Sequence, residues 1–393
     1  MAKTTAPSNV AKSNRKWITG YSIIGVLLFI TYQFLLPWEG LPLGIYDAIY
    51  QWMPPSAINE SLVYIIMALG LNIVVGYAGL LDLGYVAFWA IGGYCAGWFM
   101  SEFFYFLNIN FLGSVPAEAP GIHINFWMVL LIGGFVCAVF GILIGAPTLR
   151  LKSDYLALVT LGFGEIIPQV FFNGENFFGY NISNGTKGIV GVDSIPVGVK
   201  NLGPFDFGWK LLIFLLLTAV MVFISLRLRR GRLGRAWLAI REDELAASMM
   251  GVPLMRTKLS AYAVGAFAGG LGGVAFATHV NGVYAERFNF TISIFLLAMV
   301  VLGGMGNVWG VILGAFILSW VNGNGLTAFG QLYNEQFGTD IDFASFTFLL
   351  FGLVLIFMML FKREGLLPES RLKLMLHEDE LDQIDASSKS GDK

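Results

Sequence analysis

Apolar runs of about 20 residues, the length a helix needs to cross roughly 30 Å of hydrocarbon, recur along the chain. They lie near 17–36, 60–78, 80–100, 126–146, 154–172, 209–227, 259–279 and 343–361. A further apolar stretch, 290–322, is too long for one crossing and carries Gly303-Gly304-Met305-Gly306 at its middle. Glycines in that position predict a break and two shorter crossings. The pattern therefore predicts an all-α polytopic membrane protein of about ten transmembrane helices. The run 154–172 fits the pattern least, since Gly162, Gly164, Glu165 and Pro168 interrupt it.

The polar segments divide the chain further. A tail, 1–16, precedes a membrane body, 17–366, and a polar, acidic tail, 367–393, follows, with its end expected to be disordered. Three long loops, 37–59, 101–125 and 173–208, are rich in Pro, Gly and aromatic residues. The segment Arg227–Lys258 is a polar island between two apolar runs and carries Arg227, Arg229, Arg230, Arg232, Arg235, Arg241, Arg256 and Lys258. The first apolar run is too long for a secretory signal core and lacks a small-residue cleavage pattern, so it reads as an uncleaved span.

Composition agrees with a membrane protein. The chain is 56% apolar and 13% charged, against about 25% charged in soluble domains, and its mean hydropathy is +0.70. The net charge of −2 decides little; the placement of the charges decides more. With the N-terminus inside, 20 of the 24 basic residues fall on inside segments. Only Lys187, Lys200, Lys210 and Arg287 lie outside. Such a bias places both termini and the island in the cytoplasm, and the three long loops outside. Cys95 and Cys137 fall within apolar runs and suggest neither a metal nor a disulfide.

Candidate functional residues are few. Asp82, in AGLLDLGYVAF, and Glu165, in TLGFGEIIP, are acids in or beside spans. An uncompensated charge at the bilayer centre costs at least about 2.5–3.5 kcal/mol, so each needs a partner, water or an interfacial place. For Asp82, an interfacial or helix-capping position is the plainer expectation. Gly265-Gly269-Gly273 and Gly306-Gly310-Gly314 form small-residue stripes at helical spacing, which suit close helix packing. Within the island, Leu238 to Met250 reads as one partly amphipathic helix with apolar Trp237, Leu238, Ile240, Leu245, Met249 and Met250, ended by Gly251 and Pro253. It suits either an interfacial helix on anionic lipid or a docking helix for a cytoplasmic protein. No Gly-Lys dipeptide occurs, so the chain has no ATP-binding P-loop of its own. No nucleophile–base arrangement can be assembled, which argues against an enzyme. Neither a cofactor nor a metal on this chain, nor nucleic acid as a partner, is expected.

Ala246-Ala247-x-x-x-Gly251 in this loop resembles the EAA motif of ABC importer permeases. The fuller string GRAWLAIREDELAASMMGVPLMRTKLSAYAVGAFAGGLGG is similar to permeases of branched-chain amino acid ABC transporters, LivM subtype. So are DYLALVTLGFGEII (154–167), GYAGLLDLGYVAFWAIGGY (76–94) and VVLGGMGNVWGVILGAF (300–316). The loop segment NISNGTKGI (181–189) shares an Asn/Gly-rich character but departs from a Gly-Gly-Pro-Asn form. The similarity covers about residues 60–365.

This resemblance implies an ABC importer permease-like fold in a bacterial inner membrane. It implies a second, LivH-like permease subunit and two cytoplasmic ATPase subunits that hold ATP and Mg. It further implies a periplasmic substrate-binding protein. The ATPase-coupling residues would be Glu244, Ala246, Ala247, Gly251 and Arg241, with the coupling element proper at about 238–253. A translocation path would involve Asp82, Glu165, Gly303, Gly304 and Gly306. Two other readings stay open: a permease for urea or another small polar solute, and a stand-alone secondary transporter or channel with the island lying on lipid.

Overall fold

The computed structural model of the protein describes residues 7–36, 42–116, 118–151, 153–197, 200–203, 206–362 and 365–367. The tail from 368, residues 1–6 and the start of the loop 37–59 lie outside the described residues.

The membrane body is built mainly of helices. Helix α1 (Pro7–Ile30) runs on as a π-helical stretch, Thr31–Leu35. Next come α2 (Leu43–Trp52) and α3 (Pro55–Leu71), the latter prolonged by a second π-helical stretch, Asn72–Tyr77. After an irregular turn at 78–85 follow α4 (Val86–Phe99), α5 (Phe126–Thr148), α6 (Ser153–Phe172) and α7 (Phe207–Arg230). The island holds α8 (Arg232–Glu242) and α9 (Glu244–Met249). The chain continues through α10 (Leu254–Val280), α11 (Phe290–Gly303), α12 (Val308–Trp320), α13 (Leu326–Phe337) and α14 (Thr347–Phe361).

The all-α polytopic architecture is observed, while ten full crossings are not confirmed. Among the described residues, seven helical stretches are long and apolar enough to cross a bilayer, one of them Leu43–Tyr77 with α2 and α3 in succession. Val86–Phe99, Phe290–Gly303 and Phe343–Met358 are apolar but shorter. The two of 14 residues reach only about 21 Å at 1.5 Å per residue, short of roughly 30 Å. Their shortness has a local cause, because the chain leaves helical geometry at 78–85 and again at 304–307. The run 80–100 thus contains a turn before its helix. The run 290–322 does divide at its glycines.

Helix α10 is the hub of the fold and packs against α3, α4 and α5. Its glycines let the neighbours come within backbone contact. A Cβ on Gly273 would lie 2.6 Å from the Gly93 nitrogen, and one on Gly92 would lie 2.7 Å from the Gly270 Cα. The sulfur of Cys137 donates to the Phe88 carbonyl at 3.2 Å in the same seam, and both cysteines are buried and free. The other small-residue stripe is redistributed. Gly310 and Gly314 of α12 pack on Gly303 of α11, whereas Gly306 lies outside the helix in the turn, with φ +86°. By contrast α5 presents Leu131, Phe135 and Leu143 outward, an apolar face suited to lipid.

Short strands organise the loops at the end opposite the island. Strands β1 (Met100–Ser101), β2 (Asn108–Phe111) and β3 (Gly121–Ile124) form a sheet in which β1 runs antiparallel and β2 parallel to the central β3. Strand β4 (Ile189–Val190) later pairs with β7 (Gly282–Val283), and β5 (Ile195–Val197) pairs with β6 (Lys200–Leu202). His123 on β3 clamps two of the loops together: its Nδ1 lies 2.9 Å from Asp193 Oδ2, and both residues are buried. Burial pushes the Asp193 carboxyl up, while the hydrogen bond to the His123 ring pulls it down. Removing one partner leaves the other buried and unpaired, at a cost of about 1–3 kcal/mol. His123→Ala is therefore expected to speed limited proteolysis within 173–206 several-fold in detergent, with unchanged resistance of α10.

Candidate functional site

The island is a folded element seated on the membrane body. Helix α7 ends in Arg227, Arg229 and Arg230, where cations suit the negative end of the helix. The chain turns at Gly231 into α8, then breaks at Asp243, whose backbone is extended at φ −155°. The Asp243 carboxylate caps α9, accepting from the Leu245 and Ala246 amides at 2.8 and 3.0 Å. The single helix expected over 238–250 is therefore two helices, and the first begins at Arg232. Gly251, at φ +83°, reverses the chain after α9.

The apolar residues of the island point two ways. Trp237, Ile240 and Ala247 are buried against the body, with the Trp237 indole donating to the Thr257 carbonyl at 3.1 Å and to Ser260 Oγ at 3.0 Å. Leu245, Met249 and Met250 are 68%, 78% and 85% exposed. One amphipathic face had been expected to carry both sets. The break at Asp243 turns α9 so that its apolar side faces away from the protein.

The predicted coupling residues hold the island in place. Glu244 Oε1 meets Lys258 Nζ, at the start of α10, at 2.6 Å. Ala246 donates its amide to the cap, and Ala247 is buried on the inner side of α9. Arg241 Nη1 donates to the Gly76 carbonyl, where the helix after α3 gives way to the turn. The aliphatic part of Arg241 lies over Gly79, at which a Cβ would come within 2.9 Å of its Cγ.

Beneath Arg241 the π-helical end of α3 meets the second break. Asn72 Oδ1 accepts from the Gly306 amide at 2.8 Å, and a Cβ on Gly76 would come within 2.6 Å of that same nitrogen. The contact runs from Arg241 through Gly76 and Asn72 to Gly306, joining the island to that helix end and to the break. Asn72 is not among the candidates that the acids of the spans point to. An amide in the apolar string LGLNIVVGY is a signal of the same kind.

The expected path residues fall into separate places. Asp82 is buried in the 78–85 turn, where Oδ1 accepts from the Gly84 amide at 2.9 Å. It caps a turn, not the helix α4. Gly84 packs on α6 at Thr160 and Gly164, and the Leu83 amide donates to Thr160 Oγ1 at 3.1 Å. Gly303, Gly304 and Gly306 form the second break, with Gly304 at φ +112°. Glu165 is in neither turn; it is exposed on α6.

The opposite end carries a charged group that the sequence reading did not single out. Glu60 lies within α3, one turn before Tyr64, and feels the charge of Arg287. The Arg287 guanidinium sits 5.9 Å from the Phe276 ring centre, and Phe276 packs on Trp89. The apolar run begins near residue 60, which puts Glu60 at its edge, whereas α3 begins at Pro55.

A multi-pass helical body with a packed basic loop at one end defines a polytopic integral-membrane protein, and sequence comparison supplies its kind. Residues 54–359 match the family model described as the permease component of the branched-chain amino acid transport system. The chain belongs to this permease family. It is 38% identical over 332 residues to the high-affinity branched-chain amino acid transport system permease protein LivM of Salmonella typhimurium, covering 80% of this chain and 70% of that protein. It is 37% identical to the LivM of Escherichia coli, with the same coverage. A probable LivM of Methanocaldococcus jannaschii is 28% identical, across 78% of this chain and 90% of its own length. No solved structure gives a significant match.

Proposed function

We propose that the protein is one of two different membrane subunits of an ATP-driven importer for branched-chain and other neutral amino acids. It would reside in a bacterial inner membrane with the island and both termini in the cytoplasm. ATP and Mg would bind to two separate ATPase subunits, and a periplasmic binding protein would deliver substrate to the opposite end. The observation that carries this reading is the island itself. Helix α9 offers Leu245, Met249 and Met250 outward, while α8 is tied through Arg241 to the turn at Gly76. An ATPase surface closing on α9 would move α8, and α8 would move the turn at 78–85 and, through Gly76 and Asn72, the break at 304–307. Glu244 holds α9 to α10 through Lys258, and Gly251 supplies the reversal that orients it. Asp82 and the glycines of the second break would then be parts that shift during transport, with Glu165 beside the path.

Radiolabelled uptake in a strain lacking its own branched-chain systems tests this reading. Expression with the second permease, the ATPase subunits and the binding protein should give leucine uptake well above glutamine and urea. It should vanish without the ATPase subunits. Leucine uptake that persists without them would make the protein a stand-alone transporter, and urea preference would change the ligand.

A further inference from the structure

We infer that the exposed face of α6 is the surface on which the second, different permease chain packs, with a hydrogen-bond donor of that chain set against Glu165. This rests on the two-permease reading above and names the surface it requires. Tyr155, Leu158, Gly162, Glu165 and Gln169 recur at three- and four-residue steps and so share one side of the helix. Tyr155 and Leu158 are 61% and 67% exposed, and Glu165 and Gln169 are exposed as well. A Cβ on Gly162 would meet nothing within 4 Å, which leaves the backbone open to another helix.

What covers this face follows from its charge. Glu165 is the eleventh residue of the 18-residue span Tyr155–Phe172, near the middle of the crossing. It forms no ion pair or hydrogen bond among the described residues. Lipid tails offer a carboxylate neither a donor nor water, so a lipid-facing Glu165 is unfavourable. The outward faces of α5 and α14, by contrast, carry large apolar residues such as Phe135, Leu143, Leu353 and Phe357. A second copy of this chain is a poor occupant. Packed about a two-fold axis on this stripe, it would set Glu165 close to its own counterpart, and like charges repel strongly where the dielectric is low. A different chain bearing an Asn, Gln, Tyr, Lys or Arg at that depth satisfies the carboxylate and fills the space over Gly162.

Photo-crosslinking of the assembled complex in membranes tests the inference. Benzoyl-phenylalanine replaces Leu158 or Ile166 on α6, and Phe135 or Leu143 on α5 as controls. All four positions are exposed, so the fold should tolerate them, and the monodisperse yield of each chain checks this. Irradiation should join the α6 variants to the second permease and leave the α5 variants unjoined. Glu165→Lys should lower the amount of second permease recovered with this chain at least fivefold, while Glu165→Gln keeps it. Adducts from α5 and not α6, a homodimer adduct from α6, or unchanged recovery of Glu165→Lys would overturn the assignment. Failure of the wild-type chain to recover a second permease or to import leucine would instead sink the importer reading itself.

Discussion

Gly273→Val should leave almost no folded protein in the membrane. A Cβ at this position would lie 2.6 Å from the Gly93 nitrogen and would press on the Trp89 carbonyl as well. Both obstacles are backbone, so neither can swing aside, and a β-branched side chain adds two further carbons to the clash. The α4–α10 seam must open to admit it. Opening costs the packing of Trp89 on Phe276, whose ring centres are 4.7 Å apart, and of Gly92 on Gly270. Overpacking commonly costs about 1–3 kcal/mol and more where nothing yields, set against a total stability of roughly 5–15 kcal/mol. In membranes such tight van der Waals packing is a main source of helix association. Gly352→Val on α14, where a Cβ would meet nothing within 4 Å, is the matched control. Yields of monodisperse protein after detergent extraction should differ at least tenfold between the two, and equal yields would contradict the packing account.

Arg241→Ala should uncouple transport while leaving the complex assembled. Its guanidinium donates to the Gly76 carbonyl, a bond to a charged group of the kind that contributes about 1.5–3 kcal/mol. The bond links the island to the helix breaks and leaves the outward patch of α9 untouched. Leucine imported per ATP hydrolysed in proteoliposomes is therefore expected to fall at least tenfold, consistent with about 1.4 kcal/mol or more. The amount of ATPase recovered with the permease should hold. Arg235→Ala removes an arginine whose bond, to the Arg230 carbonyl, stays within the island, and it should transport normally. Equal transport by the two variants would show that the Gly76 contact carries no coupling. Glu244→Lys sets two cations against each other where Glu244 now meets Lys258, and should mimic Arg241→Ala by loosening α9.

The candidate site was legible in proportion to how local its signals are. Asp243 followed by Glu244 can cap a helix wherever it occurs, yet the sequence reading passed over it because Leu238 to Met250 could be drawn on one amphipathic wheel. The glycines at 303–306 announced a break, since such a run weakens a helix whatever surrounds it. The turn at 78–85 was hidden inside an apolar run, because hydropathy measures how greasy a segment is and not whether it is helical. Glu165 stood out as an acid in a span. Its exposure on α6 could not be read, since the residues able to bury such a side chain come from distant parts of the chain.

By itself the sequence determined that the protein is a helical membrane protein, because apolar runs of about 20 residues suit helices, which satisfy their backbone polar groups within the segment. It also determined where the basic island lies and that the chain holds no P-loop, since both are properties of contiguous residues. Only the tertiary structure decided that the π-helical end of α3 meets a helix break 234 residues further on, through Asn72 and Gly306, and that Arg241 reaches Gly76 above them. The physical reason is that membrane helices pack through close backbone contact at glycines. A glycine in a sequence records that something comes near, and only the fold shows what does.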